Sequence, residues 1–279
     1  MKLNHQQYGK ARVRVMKVTR TAQQHEIKEV NVMVMLEGDF ASSYTEGDNS
    51  KVVATDTMKN TVNALAKEHL GAQIEQFGMA LGQHFLKRYT QVRQVTVELE
   101  ERPWQRLSVE GKPHAHTFLG SAQERPFARV ISTREKVVVE AGVDDLLILK
   151  TTGSGFEGYP KDKFTTLPET KDRIMATSMK ATWLYQKAPK DYAVTNRRIL
   201  EAMLKVFAVN YSPSVQTTLY QMAEAALHAV PEIAQVNLKM PNKHCLLINL
   251  TPFGVENKNE IFVPTDEPHG QIEATITRD

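Results

Sequence analysis

Residues 8–18, YGKARVRVMKV, alternate apolar and polar side chains almost without interruption, with Lys10 at the head of the run. A period of two marks a strand with one buried face. The period returns at residues 27–37, where Val30, Val32, Val34 and Leu36 share one face and Asn31, Met33 and Met35 the other. Two such runs joined by a short polar link predict a hairpin. On the first strand Lys10, Arg12 and Arg14 share parity, so the face they occupy is expected to be polar.

Beyond the polar stretch 39–50 the period becomes helical. Met58, Val62, Leu65 and Ala66 form one stripe; Ile74, Phe77, Leu81 and Phe85 form another. Strands are predicted near 92–107 and 114–134, and then the order begins again. EKVVVEAGVDDLLILK, residues 135–150, reads as two β-rich runs around Gly142, followed by a long polar loop from Thr151 to Lys171. Helical stripes return at Ile199, Met203 and Phe207, and at Val215, Leu219, Met222, Ala223 and Ala226, before strands near 233–250 and 260–277. The apolar offsets counted from Val215 repeat those from Met58. Strand, strand, helix, helix, strand, strand in both halves predicts an internal duplication, with units at 1–134 and 135–279. Each unit would be an antiparallel sheet under one helical layer, an α+β arrangement.

Composition narrows the function classes. Of 279 residues, 41% are hydrophobic and 24% charged, the balance of a chain with a substantial core. The net charge of +3 comes from 35 basic and 32 acidic residues spread along the chain, so neither a nucleic-acid nor a membrane surface is expected. Cys245 stands alone, which excludes an intrachain disulfide and a thiolate zinc cluster and fits a reducing compartment. Lys2, Lys10, Arg12 and Arg14 interrupt any apolar run near the start, and the last residues are not a peroxisomal Ser-Lys-Leu address. A soluble, cytoplasmic protein is expected.

Several short motifs carry polar groups at element ends. ATDTMKN places Thr55 and Asp56 at the start of the first helix, where the commoner reading is an N-cap. SPSVQTTL opens a later helix with Ser214 as cap and Gln216 in the first turn. MPNKHCLLINL puts Asn242, Lys243 and His244 after Pro241 and ahead of an apolar strand, a turn with a bulge on the plainer reading. His114 and His116 alternate on one strand with no third ligand nearby in sequence, a weak case for a metal. One GxGxxG is present, GSGFEG at 153–158, but it lies in the polar loop and opens no helix, and no GxxxxGK is present, so no nucleotide cofactor is indicated.

Taken together and in order, YGKARVRVMKV, VVATDTMKNTV, ERPWQRLSVEGKPHAHTF, DRIMATSMKATW, SPSVQTTLYQMAEAAL and MPNKHCLLINL resemble urate oxidase, the uricase family, from Tyr8 to about Leu250. The resemblance implies a tandem T-fold, two antiparallel ββααββ units per chain that close into barrels by oligomerisation. It further implies a homotetramer with active sites between subunits. The implied reaction is oxidation of urate by dioxygen to 5-hydroxyisourate and hydrogen peroxide, with no cofactor and no metal. Residue by residue, it makes Lys10 and Thr55 the proton-removing pair and His244 the third member of that relay. Asn242 would stand at the oxygen or water site. Arg173 and Gln216 would hold the purine edge, Phe156 would stack on its face, and Val215 with the backbone of Thr55 and Asp56 would complete the pocket. Two other readings are a T-fold enzyme acting on a pterin, which generally uses zinc, and a non-catalytic T-fold binding protein.

These roles agree with the chemistry of the side chains. A planar guanidinium matches adjacent oxygen and nitrogen acceptors in a bidentate way that an ammonium does not. A glutamine amide offers a donor and an acceptor, as a lactam edge does. A lysine at its ordinary pKa of about 10.4 is protonated at neutral pH, so a lysine base requires burial or neighbouring cations.

Overall fold

The computed structural model describes residues 1–120 and 124–278, and the chain divides into two compact units. The first comprises Met1–Gly142 with Leu184–Val194, the second Val143–Trp183 with Thr195–Asp279.

In the first unit, β1 (Tyr8–Arg20) and β2 (His25–Gly38) form the expected hairpin, followed by a short α1 (Ala41–Thr45), α2 (Thr55–His69) and α3 (Ile74–Arg88). Then come β3 (Val92–Glu101), β4 (Trp104–Val109), β5 (Lys112–Gly120) and β6 (Arg125–Ser132). The sheet order is β1-β2-β3-β6, antiparallel throughout. Its inner face carries Val30, Val32, Val34 and Leu36 of β2 with Val95, Val97 and Leu99 of β3. Met58 and Val62 of α2 and Phe77, Leu81 and Phe85 of α3 cover it, and none of these is more than 1% exposed. Truncating one such phenylalanine to alanine costs about 3–5 kcal/mol.

The two long strands expected over 92–134 are four. Pro103 has no amide to give a ladder, and the chain turns there into a separate hairpin, β4 with β5. Glu110 and Gly111 both have positive φ, 50° and 77°, the requirement of a two-residue turn matched to strand twist. His114 and His116 sit on β5 as alternates, and His25 of β2 brings a third imidazole, 5.8 Å from that of His116. Among the described residues, no group of three His, Cys, Asp or Glu is placed to hold a metal ion.

In the second unit the order is β7 (Val137–Lys150), β8 (Met175–Tyr185), α4 (Tyr192–Val209), α5 (Val215–Ala229), β9 (Ile233–Leu247) and β10 (Phe262–Thr277), with the strands side by side in that sequence. The two runs expected around Gly142 are one continuous strand. The second strand of the unit is β8, hidden in a sequence buried on both faces that shows no alternation. Ile199, Met203, Phe207, Leu219, Met222 and Ala223 pack the helical layer, and buried Trp183 satisfies its indole N–H on Asn196 Oδ1 at 2.9 Å. The α+β repeat of ββααββ is therefore present in both units.

The first strand departs from its own alternation at one point that matters. Lys10 pairs with Val34 and Val13 with Val32, so Ala11 and Arg12 together oppose Met33, a β-bulge with Arg12 at φ 56°. Residues opposite one another in an antiparallel pair share a face. Lys10 therefore lies on the face of Val34, under the helices. Arg14, paired with Asn31, lies on the other. The expected common parity of Lys10, Arg12 and Arg14 is broken by the bulge. Arg12 and Arg14 line an open cavity of about 610 Å³ on the polar face with Glu98, Arg102 and Phe127.

Candidate functional site

The first cluster belongs to the first unit. Gly9 precedes Lys10 where a Cβ would come within 1.8 Å of the Val34 carbonyl oxygen, so only glycine lets β1 lie this close to β2. Tyr8 packs edge-on against Phe40 at 4.8 Å, and its hydroxyl accepts from the Val53 amide at 2.7 Å, tying β1 to the segment that feeds α2. Burial, partly offset by that hydrogen bond, raises the Tyr8 pKa. With β1 fixed and the bulge after it, half-buried Lys10 is turned toward the start of α2.

At that start, the N-cap expectation for Thr55 and Asp56 is corrected. Ala54 occupies the cap position and offers no side-chain acceptor, and the first intrahelical bond runs from the Met58 amide to the Ala54 carbonyl. The Thr55 hydroxyl is therefore not used as a cap, and the amides of the first turn have no intrahelical acceptor. Asp56 is exposed and its carboxylate receives Lys59 Nζ and Asn60 Nδ2. The hydrogen bond from Lys59 is the main cause of its lowered pKa, and the nearby Lys10 charge acts in the same direction. Lys10, Thr55 and Asp56 thus occur together.

The second cluster belongs to the second unit. The Phe156 amide donates to the Thr170 carbonyl at 2.7 Å, and the Thr170 amide returns the bond at 3.1 Å. The Gly155 amide donates to Ser212 O at 2.8 Å, and the Ser212 amide to Gly153 O at 2.9 Å. Three segments, 153–156, 170–173 and 212–216, are stitched into one body. Gly155 is required here: a Cβ would meet the Tyr211 hydroxyl at 2.2 Å, and that hydroxyl donates to Lys171 O at 2.9 Å.

The result is a cation laid across an aromatic ring. Arg173 Cζ stands 5.6 Å from the Phe156 ring centre, while Tyr159 stacks on Phe156 at 4.8 Å. Arg173 Nε is buried and has no hydrogen-bond partner among the described residues, and burial lowers the guanidinium pKa from its ordinary value. An orphaned donor on a desolvated cation is costly unless a ligand completes it. Ser214 caps α5 as expected, its oxygen accepting from the Thr217 amide at 3.1 Å, which fixes buried Val215 and exposed Gln216 in the first turn.

Asn242 and His244 lie two residues apart on β9, half-buried, opposite Gly270 and Thr265. The ladder breaks between those partners, and Lys243 Nζ reaches Asp266 at 2.6 Å across the break. The turn with a bulge expected at 242–244 is corrected: β9 runs unbroken through Pro241–His244, and the extra residues of the irregularity, 266–269, belong to β10. Neither the Asn242 nor the His244 side chain is hydrogen-bonded to Arg173 or Gln216 among the described residues. Residue type does not single out Gly9 and Gly155, whose role is to let backbones approach, or Tyr211, whose hydroxyl donates to Lys171 O.

The uricase family model matches this chain over residues 6–131 and again over 139–273. The chain belongs to the uricase family. The uricase of Dictyostelium discoideum is 43% identical over 97% of this chain and 96% of its own length. That of Arthrobacter globiformis is 42% identical over 99% of this chain and 90% of its own. The crystal structure of the Arthrobacter globiformis uricase superposes with a TM-score of 0.94, covering 100% of this chain and 96% of the other at 41% identity. The two matched stretches of the uricase model each contain one ββααββ unit, as expected of a tandem T-fold.

Proposed function

We propose that this chain is a urate oxidase that converts urate, dioxygen and water to 5-hydroxyisourate and hydrogen peroxide. Family membership supports the substrate, and the observation that carries the site is the buried, unpaired Nε of Arg173 beside Phe156. A flat polyamide anion suits both groups: the guanidinium fork takes adjacent acceptors on its edge, and the ring takes its face. Gln216 pairs with a neighbouring lactam edge, and Val215 closes the floor.

Lys10 is the base. Thr55, whose hydroxyl is not engaged as a cap, passes the proton between the purine and Lys10, and His244 completes the relay. Asn242 holds oxygen or the attacking water above the ring. The doubly deprotonated purine is electron-rich enough to reduce oxygen itself, so neither metal nor organic cofactor is required.

The first unit supplies Lys10, Thr55 and Asp56; the second supplies Phe156, Arg173, Gln216, Asn242 and His244. That division supports a site shared by two protomers of a homotetramer, the units closing into barrels as subunits associate. It also supports the water exclusion a lysine base needs, since a neighbouring protomer covers it. The break in the family match at 132–138 supports a duplication boundary at 134/135. No helix among the described residues is long and apolar enough to cross a membrane, and Cys245 is a free thiol, in keeping with the cytoplasm.

The test is to mix the protein with urate in air and follow the loss of ultraviolet absorbance alongside peroxide. Turnover that survives exhaustive chelation and stops without oxygen is expected. Urate persisting in air would refute the proposal, and activity lost on chelation would favour a zinc-dependent relative.

A further inference from the structure

Asp172 stands directly before Arg173, yet its carboxylate is committed elsewhere. Oδ2 accepts the Thr152 hydroxyl at 2.8 Å and Oδ1 the Gly153 amide at 2.8 Å. These donors, Thr152 foremost, with the nearby Ser154 and Arg173 amides acting in the same direction, hold its pKa below the usual carboxylate range. Gly153 sits at φ 74°, a conformation that lets residues 152–154 wrap the carboxylate. From the other side, the Thr170 hydroxyl donates to Asp172 O at 2.7 Å.

A free carboxylate one residue from a guanidinium is its natural partner and would neutralise the charge a purine anion needs. Here the Thr152 hydroxyl and the Gly153 amide draw it away. They also clamp the start of the Phe156 loop to the segment that carries Arg173, so the stacking ring and the cation move as one piece.

We propose that Asp172 is a positioning residue for purine binding, holding Arg173 and Phe156 in register and leaving the guanidinium unpaired for substrate. This rests on the substrate reading above. Because the groups that hold Asp172, Thr152 and Gly153, belong to the Arg173 cluster, its loss acts on binding and not on proton removal.

The experiment compares wild type with Asp172→Ala, Asp172→Asn and Thr152→Val, measuring kcat and KM for urate and the Kd of xanthine, a purine that lacks the 8-oxygen. Asp172→Ala should raise KM and the xanthine Kd by the same factor, about tenfold, with kcat within about twofold. Asp172→Asn and Thr152→Val should fall in between. A merely structural role would lower the amount of active enzyme, and so apparent kcat, at unchanged KM and Kd. Either that pattern or an unaltered xanthine Kd overturns the proposal. If Asp172→Ala does not fold, Thr152→Val decides, a Kd equal to wild type counting against it. Wild type that binds xanthine but leaves urate untouched would refute the urate reading instead.

Discussion

Arg173 lies against Phe156 with its Cζ 5.6 Å from the ring centre and its Nε buried without a partner among the described residues. A charged hydrogen bond is worth about 1.5–3 kcal/mol. Arg173→Ala should therefore weaken xanthine binding by roughly 10–150-fold. Arg173→Lys should recover little of it, since an ammonium cannot make the fork. Equilibrium binding measures both.

Lys10→Met should divide the parameters the other way. Loss of a general base costs about 10²–10⁴ in kcat. The xanthine Kd should change by less than about threefold, because the proposed purine contacts are those of Arg173, Gln216 and Phe156. Equal losses of kcat and binding in both variants would contradict separate roles.

The bulge at Ala11–Arg12 gives a sharper test. Arg12→Gly relieves a left-handed conformation at φ 56° and should stabilise the fold by about 0.5–1 kcal/mol in denaturant unfolding, with turnover kept. Deleting Ala11 should let Arg12 pair with Met33 while Lys10 stays opposite Val34, so the hairpin should form with Lys10 on the same face and turnover kept.

Glu29 links pH to the β4–β5 hairpin. Its carboxylate is 1% exposed. Burial pushes its pKa up, but hydrogen bonds from Arg14 and from Trp104 Nε1, the latter at 2.9 Å, outweigh that and leave it lowered. A lowered folded pKa means the stabilisation is present above the unfolded value, about 4.3, and lost as pH falls through the folded one. Glu29→Gln should flatten the fall in stability below about pH 4 and cost about 1–3 kcal/mol at neutral pH, read from unfolding midpoints across pH.

Much of this was legible from residue types. Helical stripes at Met58 and Val215 and the alternation of β2 gave two ββααββ units, and Ser214 was read as a cap. What escaped had a common cause. The bulge adds one residue without changing the basic character of positions 10, 12 and 14, so counting parity put Lys10 on the wrong face. β8 is buried on both sides and shows no alternation. Thr55 looks like a cap because its type favours caps, but the chain places Ala54 there. Asp172 adjoins an arginine in sequence, and only the fold reveals that it bonds to Thr152 and Gly153 instead.

Central to the account is a pocket made from Lys10 of one protomer and Arg173 of another. Lys10→Met and Arg173→Ala proteins, each expected to keep at most about a tenth of wild-type turnover at limiting urate, can be co-refolded and assayed for peroxide. In mixed assemblies an intact Lys10 meets an intact Arg173 across the interface, and turnover should rise to about a quarter of wild type. Mixed assemblies no more active than their parents would contradict the shared pocket.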